Sequence, residues 1–375
     1  MRLHLVNAID SDGRALNLGV ADGRLTSGMD GHRIDLGGAR LLPGLINAHD
    51  HLHLNGGLPR LSFRDGYRNA SEWIADITPR LSTDSVLLAH RARPRAQRLV
   101  AGGLKNLLSG VTTVLHHDPR HPVLDAPEFP VDVPVLAGWS HSLALDGEAA
   151  VRASREVAAP GGLWVIHAAE GIDTAAALEF DRLDAHGCIA PGTMLVHGLG
   201  MSAAQQRRLV EAGAGLVWCP GSNLHLFGRT LDPGWLFERG GLALGSDSRI
   251  SGGRDLLAEL ALVRELTGWH EARLEALVTE GAARLLGLHD RGRLAPGLRA
   301  DLVALPPGLP LSRATRGDLR LVVVAGRPLY ADADLGEVLG LVPVRVDGRA
   351  KAIAHHLVSA ADEPGLKAPA QEVLA

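Results

Sequence analysis

Residues 44–53 read Gly-Leu-Ile-Asn-Ala-His-Asp-His-Leu-His, a short apolar run that breaks into alternating histidines. The same texture returns along the chain. GVTTVLHH (110–117), VPVLAGWSH (133–141), LWVIHAA (163–169), TMLVHGL (193–199), AGLVWCP (214–220) and LALGSDS (242–248) are apolar, most of them closing on a polar residue. Between them lie segments of helical periodicity, at 85–110, 175–187, 203–213 and 255–268. Near-continuous apolar strands alternating with helices point to a parallel sheet buried on both faces. Seven strand candidates, with an eighth hidden before Asp132, fit a (β/α)8 TIM-like barrel over 43–295 better than an open doubly wound sheet. No GxGxxG or GxxxxGK[ST] follows a strand, so a nucleotide-binding sheet would lack its phosphate loop.

Outside this region the pattern changes. Residues 3–42 alternate short apolar runs with Gly and Asp turns, and the texture recurs in GRLAPGLRADLVAL and LRLVVVAGRPLY. The expectation is an α/β protein whose barrel carries a small β-sandwich domain built from both termini, 1–42 plus 296–349. Residues 350–375 are expected to form a C-terminal helix and tail.

Composition bounds the function. Of 375 residues, 46% are hydrophobic and 21% charged, which excludes a mainly disordered chain. The net charge is −4 with no basic block, so neither nucleic acid nor an anionic membrane is an expected partner. No apolar run approaches the roughly 18–20 residues needed to cross a bilayer. Cys188 and Cys219 cannot build a disulfide framework and read as core, and the N-terminus has no apolar leader, so a reduced, cytoplasmic protein is expected. Lysine occurs only at 105, 351 and 367, while histidine occurs 18 times.

Barrel strands carry active-site residues at their carboxyl ends. Alternate strand residues share a face, so His49 and His51 point together and suit a pair of metal ligands. His51 and His53 have the same spacing. Later strand ends add His167 with Glu170 three residues on, then His197, then Asp247. One such residue is explained by a local hydrogen bond; the ordered set is not.

These residues carry a family resemblance. Pro43-Gly44-Leu45-Ile46-Asn47-Ala48-His49-Asp50-His51 resembles the opening metal motif of the amidohydrolase superfamily. His167-Ala168-Ala169-Glu170, Val196-His197-Gly198, Pro220-Gly221-Ser222-Asn223 and Gly245-Ser246-Asp247-Ser248 resemble its later motifs. Gly297 to Val303 resembles the strand returning to the small β-domain, so the likeness covers most of 3–330. The branch most resembled is the mononuclear one, with cytosine, guanine and adenosyl-homocysteine deaminases and triazine chlorohydrolases. The distance from Pro43-Gly44 then favours His49 and His51 over His51 and His53.

The resemblance implies one divalent metal, zinc by preference with iron or manganese as substitutes, held by His49, His51, His167 and Asp247. Such a metal lowers the pKa of a bound water from 15.7 towards about 7. Asp247 would take the water's proton, Glu170 would protonate the ring nitrogen or leaving amine, and His197 would stabilise oxyanion charge. In dinuclear members a carboxylated lysine bridges two metals. Lys105, the only barrel lysine, lies in a helical stretch and cannot take that place, which favours one metal.

Secondary candidates for substrate contact are His53, His116, His117, Trp139, His141 and Arg249, with Arg60, Arg64 and Arg68 as alternative anion clamps. Local hydrogen bonding or a solvated loop explains each equally well. Ser222-Asn223 is expected to fix the loop after the seventh strand. The span from His53 to His167 is compact for this branch, and His116-His117-Asp118 matches no specificity motif. The functional expectation is a hydrolase of non-peptide C–N bonds acting on a small molecule, foremost a deaminase of an aminated heterocycle that releases ammonia. Hydrolysis of a cyclic amide or imidazolone, or of another leaving group, is the alternative. A non-catalytic pseudoenzyme is least favoured, because drift would have removed at least one of the polar strand ends. A homodimer suits the architecture.

Overall fold

The computed structural model describes residues 2–158, 160–358 and 366–367. Seven parallel strands lie in the middle of the chain: β1 (Leu45–Asp50), β2 (Val111–His116), β3 (Gly138–Ser140), β4 (Trp164–Ala168), β5 (Thr193–His197), β6 (Gly215–Trp218) and β7 (Leu242–Leu244). β3 to β7 pair in sequence order as one ladder, and β1 pairs with β2 as another. Their apolar side chains are buried on both faces, as strands flanked by helices require. Ile46, Leu115, Val165, Val196, Val217 and Ala243 share one inner cluster.

Among the described residues, only pairs of backbone hydrogen bonds, outside the strand ladders, flank the β1–β2 pair on either side. Ser246 and Asp247 donate to His49 O at 3.2 and 3.1 Å, bringing the end of β7 beside β1. On the other side Asp132 forms one parallel bridge to Thr113. The expected eighth strand is thus reduced to a bridge, and no unbroken eight-stranded ring forms among the described residues. The mixed α/β order and parallel pairing are as expected.

Strands from both ends of the chain share a single eleven-stranded sheet, in which Arg40–Pro43 pairs with Leu302–Leu305. Of the expected tail, Arg349–Ile353 is a strand of this sheet and His355–Val358 a helical turn; apart from Leu366–Lys367 the remainder lies outside the described residues.

Three helices before β2 shape the site. α1 (Ala70–Arg80) starts where Asn69 Oδ1 accepts from Glu72 N at 3.1 Å, and it buries Trp73 and Ile77. The long helical stretch expected over 85–110 is two helices, α2 (Ser85–Ala92) and α3 (Arg95–Leu108), because Pro94 can open a helix but not continue one. α3 packs tightly on the segment after β1: a Cβ at Gly102 would lie 2.0 Å from Leu52 O. The described residues include no helix long and apolar enough to cross a membrane.

Candidate metal centre and active-site cavity

His49 and His51 lie at the end of β1, His167 on β4, and Asp247 just past β7. Their side chains converge although they are nearly 200 residues apart. His167 Nε2 is 3.2 Å from His51 Nε2 and 3.3 Å from His49 Nε2. Asp247 Oδ1 lies 3.7 Å from His49 Nε2 and 3.9 Å from His51 Nε2. A tetrahedral ion with bonds of about 2.0–2.1 Å sets its donors roughly 3.4 Å apart. Three imidazole nitrogens meeting at that spacing beside a carboxylate cannot all satisfy one another by sharing protons. The four residues therefore fit a divalent metal.

The surroundings orient these donors. His51 Nδ1 pairs with Asp118 Oδ2 at 2.6 Å, and His167 Nδ1 donates to His141 O at 2.7 Å. Each contact turns Nε2 towards the centre, the arrangement typical of metal-bound imidazoles. Asp247 sits at φ 52 and accepts from Ser248 N at 2.6 Å and from Ser251 Oγ at 2.8 Å. Ala169 and His197 also have positive φ, 51 and 74, so three strained non-glycine positions cluster at the strand ends.

Electrostatics divide the residues. Burial holds the His49 and His167 pKa values down, with neighbouring imidazoles adding to the effect at both. Burial also opposes charge on His51, but the Asp118 carboxylate outweighs it and brings the group up to about 9. Burial alone would raise Asp247; its hydrogen bond with His49 and the charges of His197, His49 and His51 instead hold it well below the carboxylate range. Glu170 goes the other way. Burial and the Asp247 charge push its carboxyl well above the ordinary value, which favours the protonated acid.

His197 lies 3.5 Å from Glu170 Oε1 through Nε2, and burial lowers it to about 4. Its Nδ1 faces Asn223 Oδ1 at 3.0 Å, while Asn223 Nδ2 donates to Thr230 Oγ1. With these assignments the His197 hydrogen is on Nδ1 and Nε2 is an acceptor. Ser222 and Asn223 do not sit in a loop; they belong to the helix Pro220–Phe227, whose side chain at 223 fixes the His197 ring.

A cavity of about 520 Å³ opens onto this centre. His51, His167, Glu170, His197 and Asp247 line its floor, and of the secondary candidates His53 and His141 also line it. His116, His117, Trp139 and Arg249 are not among its lining residues. His117 is instead buried among the imidazoles of His49, His51 and His167, as a fourth member of the group able to hold a metal, its Nδ1 unpartnered, its ring stacked 4.5 Å from that of His167 and its Nε2 on Ser140 O. His116 lies with His53 and Asp118 in a second polar cluster, and Trp139 packs against His117 and His141. Arg60 binds Gly252 O, and Arg64 and Arg68 pair with Glu72, so none of the three reaches the cavity.

Two features were not expected. Lys105 is fully buried beneath β1, its Nζ 2.9 Å from Asp50 Oδ2 and from Asn55 Oδ1 and 3.4 Å from Asp247 O. The cavity's outer wall carries Arg91, Arg95 and Arg98 from α2 and α3. The only sequence signal for the latter was the arginine spacing around Pro94.

The chain is similar in sequence to 8-oxoguanine deaminase of Pseudomonas aeruginosa, 35% identical over 170 residues, 40% of this chain and 38% of the relative. It is likewise similar to imidazolonepropionase of a Ruegeria species, 33% identical over 132 residues, 34% of this chain and 31% of the relative. The matched stretches therefore span well under half of these curated relatives. In fold it is similar to an adenosine deaminase from Xanthomonas campestris with bound zinc, at a TM-score of 0.66 and 18% identity, over 90% of this chain and 96% of that one. The model of the amidohydrolase family matches residues 68–330, more than half of the chain. With a polar cluster able to hold a metal at the ends of its parallel strands, the chain belongs to the amidohydrolase family.

Proposed function

We propose that this chain is a metal-dependent hydrolase of non-peptide C–N bonds that deaminates an aminated heterocycle and releases ammonia. The observation that carries the reading is the meeting of three imidazole Nε2 atoms and the Asp247 carboxylate beside an acid-favouring Glu170, with His51, His167, Glu170 and Asp247 lining one cavity and His49 buried behind them. His49, His51, His167 and Asp247 would hold one divalent ion, zinc by its liking for nitrogen and oxygen donors, with iron or manganese as substitutes. Such an ion supplies a Lewis acid that brings the pKa of a water near neutrality.

The remaining chemistry belongs to the side chains. Asp247, held ionised, takes a proton from the attacking water. Glu170, held protonated, gives its proton to the ring nitrogen; the proton taken up by Asp247 passes to the leaving amine, and Glu170 is reprotonated by the added hydroxyl as the carbonyl forms. His197 presents an acceptor Nε2, so it orients the Glu170 acid or the water; acting as an oxyanion donor would first require protonation at Nε2. The same reading takes 43–295 as the hydrolase barrel and 1–42 with 296–349 as its composite β-domain.

The test is ammonia release by zinc-loaded protein from a panel of aminopurines, pterins, cytosines and nucleosides. Turnover of at least one supports the reading, and none across the panel contradicts it. Similarity to an imidazolonepropionase favours a second reading, the opening of a cyclic amide or imidazolone. That reaction would consume the ring chromophore without releasing ammonia.

A further inference from the structure

The cavity is chemically two-sided. Its floor holds the imidazoles and carboxylates just described, while its outer wall combines an apolar surface, including Trp73, Ile77 and Leu87, with Arg91, Arg95 and Arg98. Among the described residues none of these three arginines has a carboxylate within ion-pair distance. Each spends part of its fork on a carbonyl: Arg91 on Leu81 O at 2.8 Å, Arg95 on Pro119 O at 3.1 Å, Arg98 on Arg93 O at 3.2 Å. Arg95 Nε is buried with no partner. Burial and the charges of Arg95, Arg91 and Arg93 depress the Arg98 pKa, which records mutual repulsion. A guanidinium does not deprotonate under ordinary conditions, so this repulsion and the unused donors persist until an anion arrives.

We propose that the substrate carries an anionic group, carboxylate or phosphate, that is held by Arg91, Arg95 and Arg98 while its reacting ring lies at the histidine floor. The inference rests on the hydrolase reading for the location of the reacting end. An apolar spacer between ring and anion suits Trp73, Ile77 and Leu87, which line the same cavity. Planar forks of this kind bind carboxylate and phosphate oxygens in pairs, and a charge-assisted contact is about twice as strong as a neutral one.

The test is calorimetric binding to the zinc-loaded full-length protein of three probes: 3-phenylpropionate, phenylphosphonate and the neutral 3-phenylpropanamide. At least one anion is expected to bind about tenfold or more tightly than the amide, a difference of about 1.4 kcal/mol. The tighter of the two anions identifies the group. The preference should vanish in the R95Q/R98Q double variant with zinc content unchanged, and survive in R68Q, whose arginine is outside the cavity. Should the double variant not fold, R91Q at the exposed rim carries the same comparison. Equal affinities, or no binding by any probe at millimolar concentration, overturn the proposal. Anion preference that persists in the arginine variants does so too, because the carboxylate would then sit on the metal. Ammonia release is not read here, so failure of the deaminase reading would be seen separately.

Discussion

Lys105 Nζ and Asp50 Oδ2 stand 2.9 Å apart with both side chains fully removed from solvent, directly beneath the strand that carries His49 and His51. Asn106 and Asn55 donate to the same carboxylate at 2.7 and 2.9 Å, so the anion is fully paired. A buried pair of this kind adds little net stability compared with an apolar pair, but removing one partner strands the other. K105M should therefore lose about 3–5 kcal/mol in chemical denaturation. D50N/K105M should recover part of that loss, and a K105M variant within 1 kcal/mol of wild type would show the pair to be idle.

Glu170 is predicted to matter for rate and not for metal. E170Q keeps the shape of the side chain but cannot pass a proton on. Its kcat should fall by about 10²–10⁴ with metal content unchanged. Activity within tenfold of wild type would remove Glu170 from the proton path.

Glu259 gives a pH signature. Its buried carboxylate accepts from Gly221 N at 2.9 Å and Gly253 N at 2.7 Å, tying together the segments that follow β6 and β7. Burial brings its pKa from 4.5 up to about 7 despite those donors. Below about 4.5 it is protonated in both folded and unfolded chains. Between 4.5 and 7 only the folded chain keeps the proton, so this contribution is lost as pH rises and is gone above 7. Relative to E259Q, wild type should lose about 2–3 kcal/mol between pH 5 and pH 8. Parallel stability curves for the two proteins would contradict this.

Gly102 tests the packing of α3 on the ligand-bearing segment. A Cβ there would meet Leu52 O at 2.0 Å, and Leu52 lies between His51 and His53. Backbone cannot yield as a side chain would, so G102A should cost about 3 kcal/mol in stability and loosen the metal. An unchanged melting temperature and metal content would count against the close approach.

How much of this was legible in the sequence depends on how each residue reaches the site. His49, His51, His167 and Asp247 stand at the ends of apolar runs, where a parallel strand has to leave the core, so their order alone suggests a common rim. Asp118 was visible only as the last residue of His-His-Asp, because its use to His51 depends on a pairing across strands. Lys105 gave no sign of being buried, since a lysine among helical leucines usually faces solvent. Arg91, Arg95 and Arg98 stood out in no way within the helical stretch 85–110; the break at Pro94 and the packing of α2 and α3 bring them to the cavity. The eighth strand was expected before Asp132, but Val133-Pro134 and the adjoining loop leave room for one bridge alone.

The most direct test is metal content per chain, by plasma mass spectrometry, on protein purified without chelators, set beside D247N. The account predicts about one equivalent of a first-row divalent metal in wild type, with D247N holding it weakly and losing turnover. Two equivalents, or none after zinc is offered back, would contradict it.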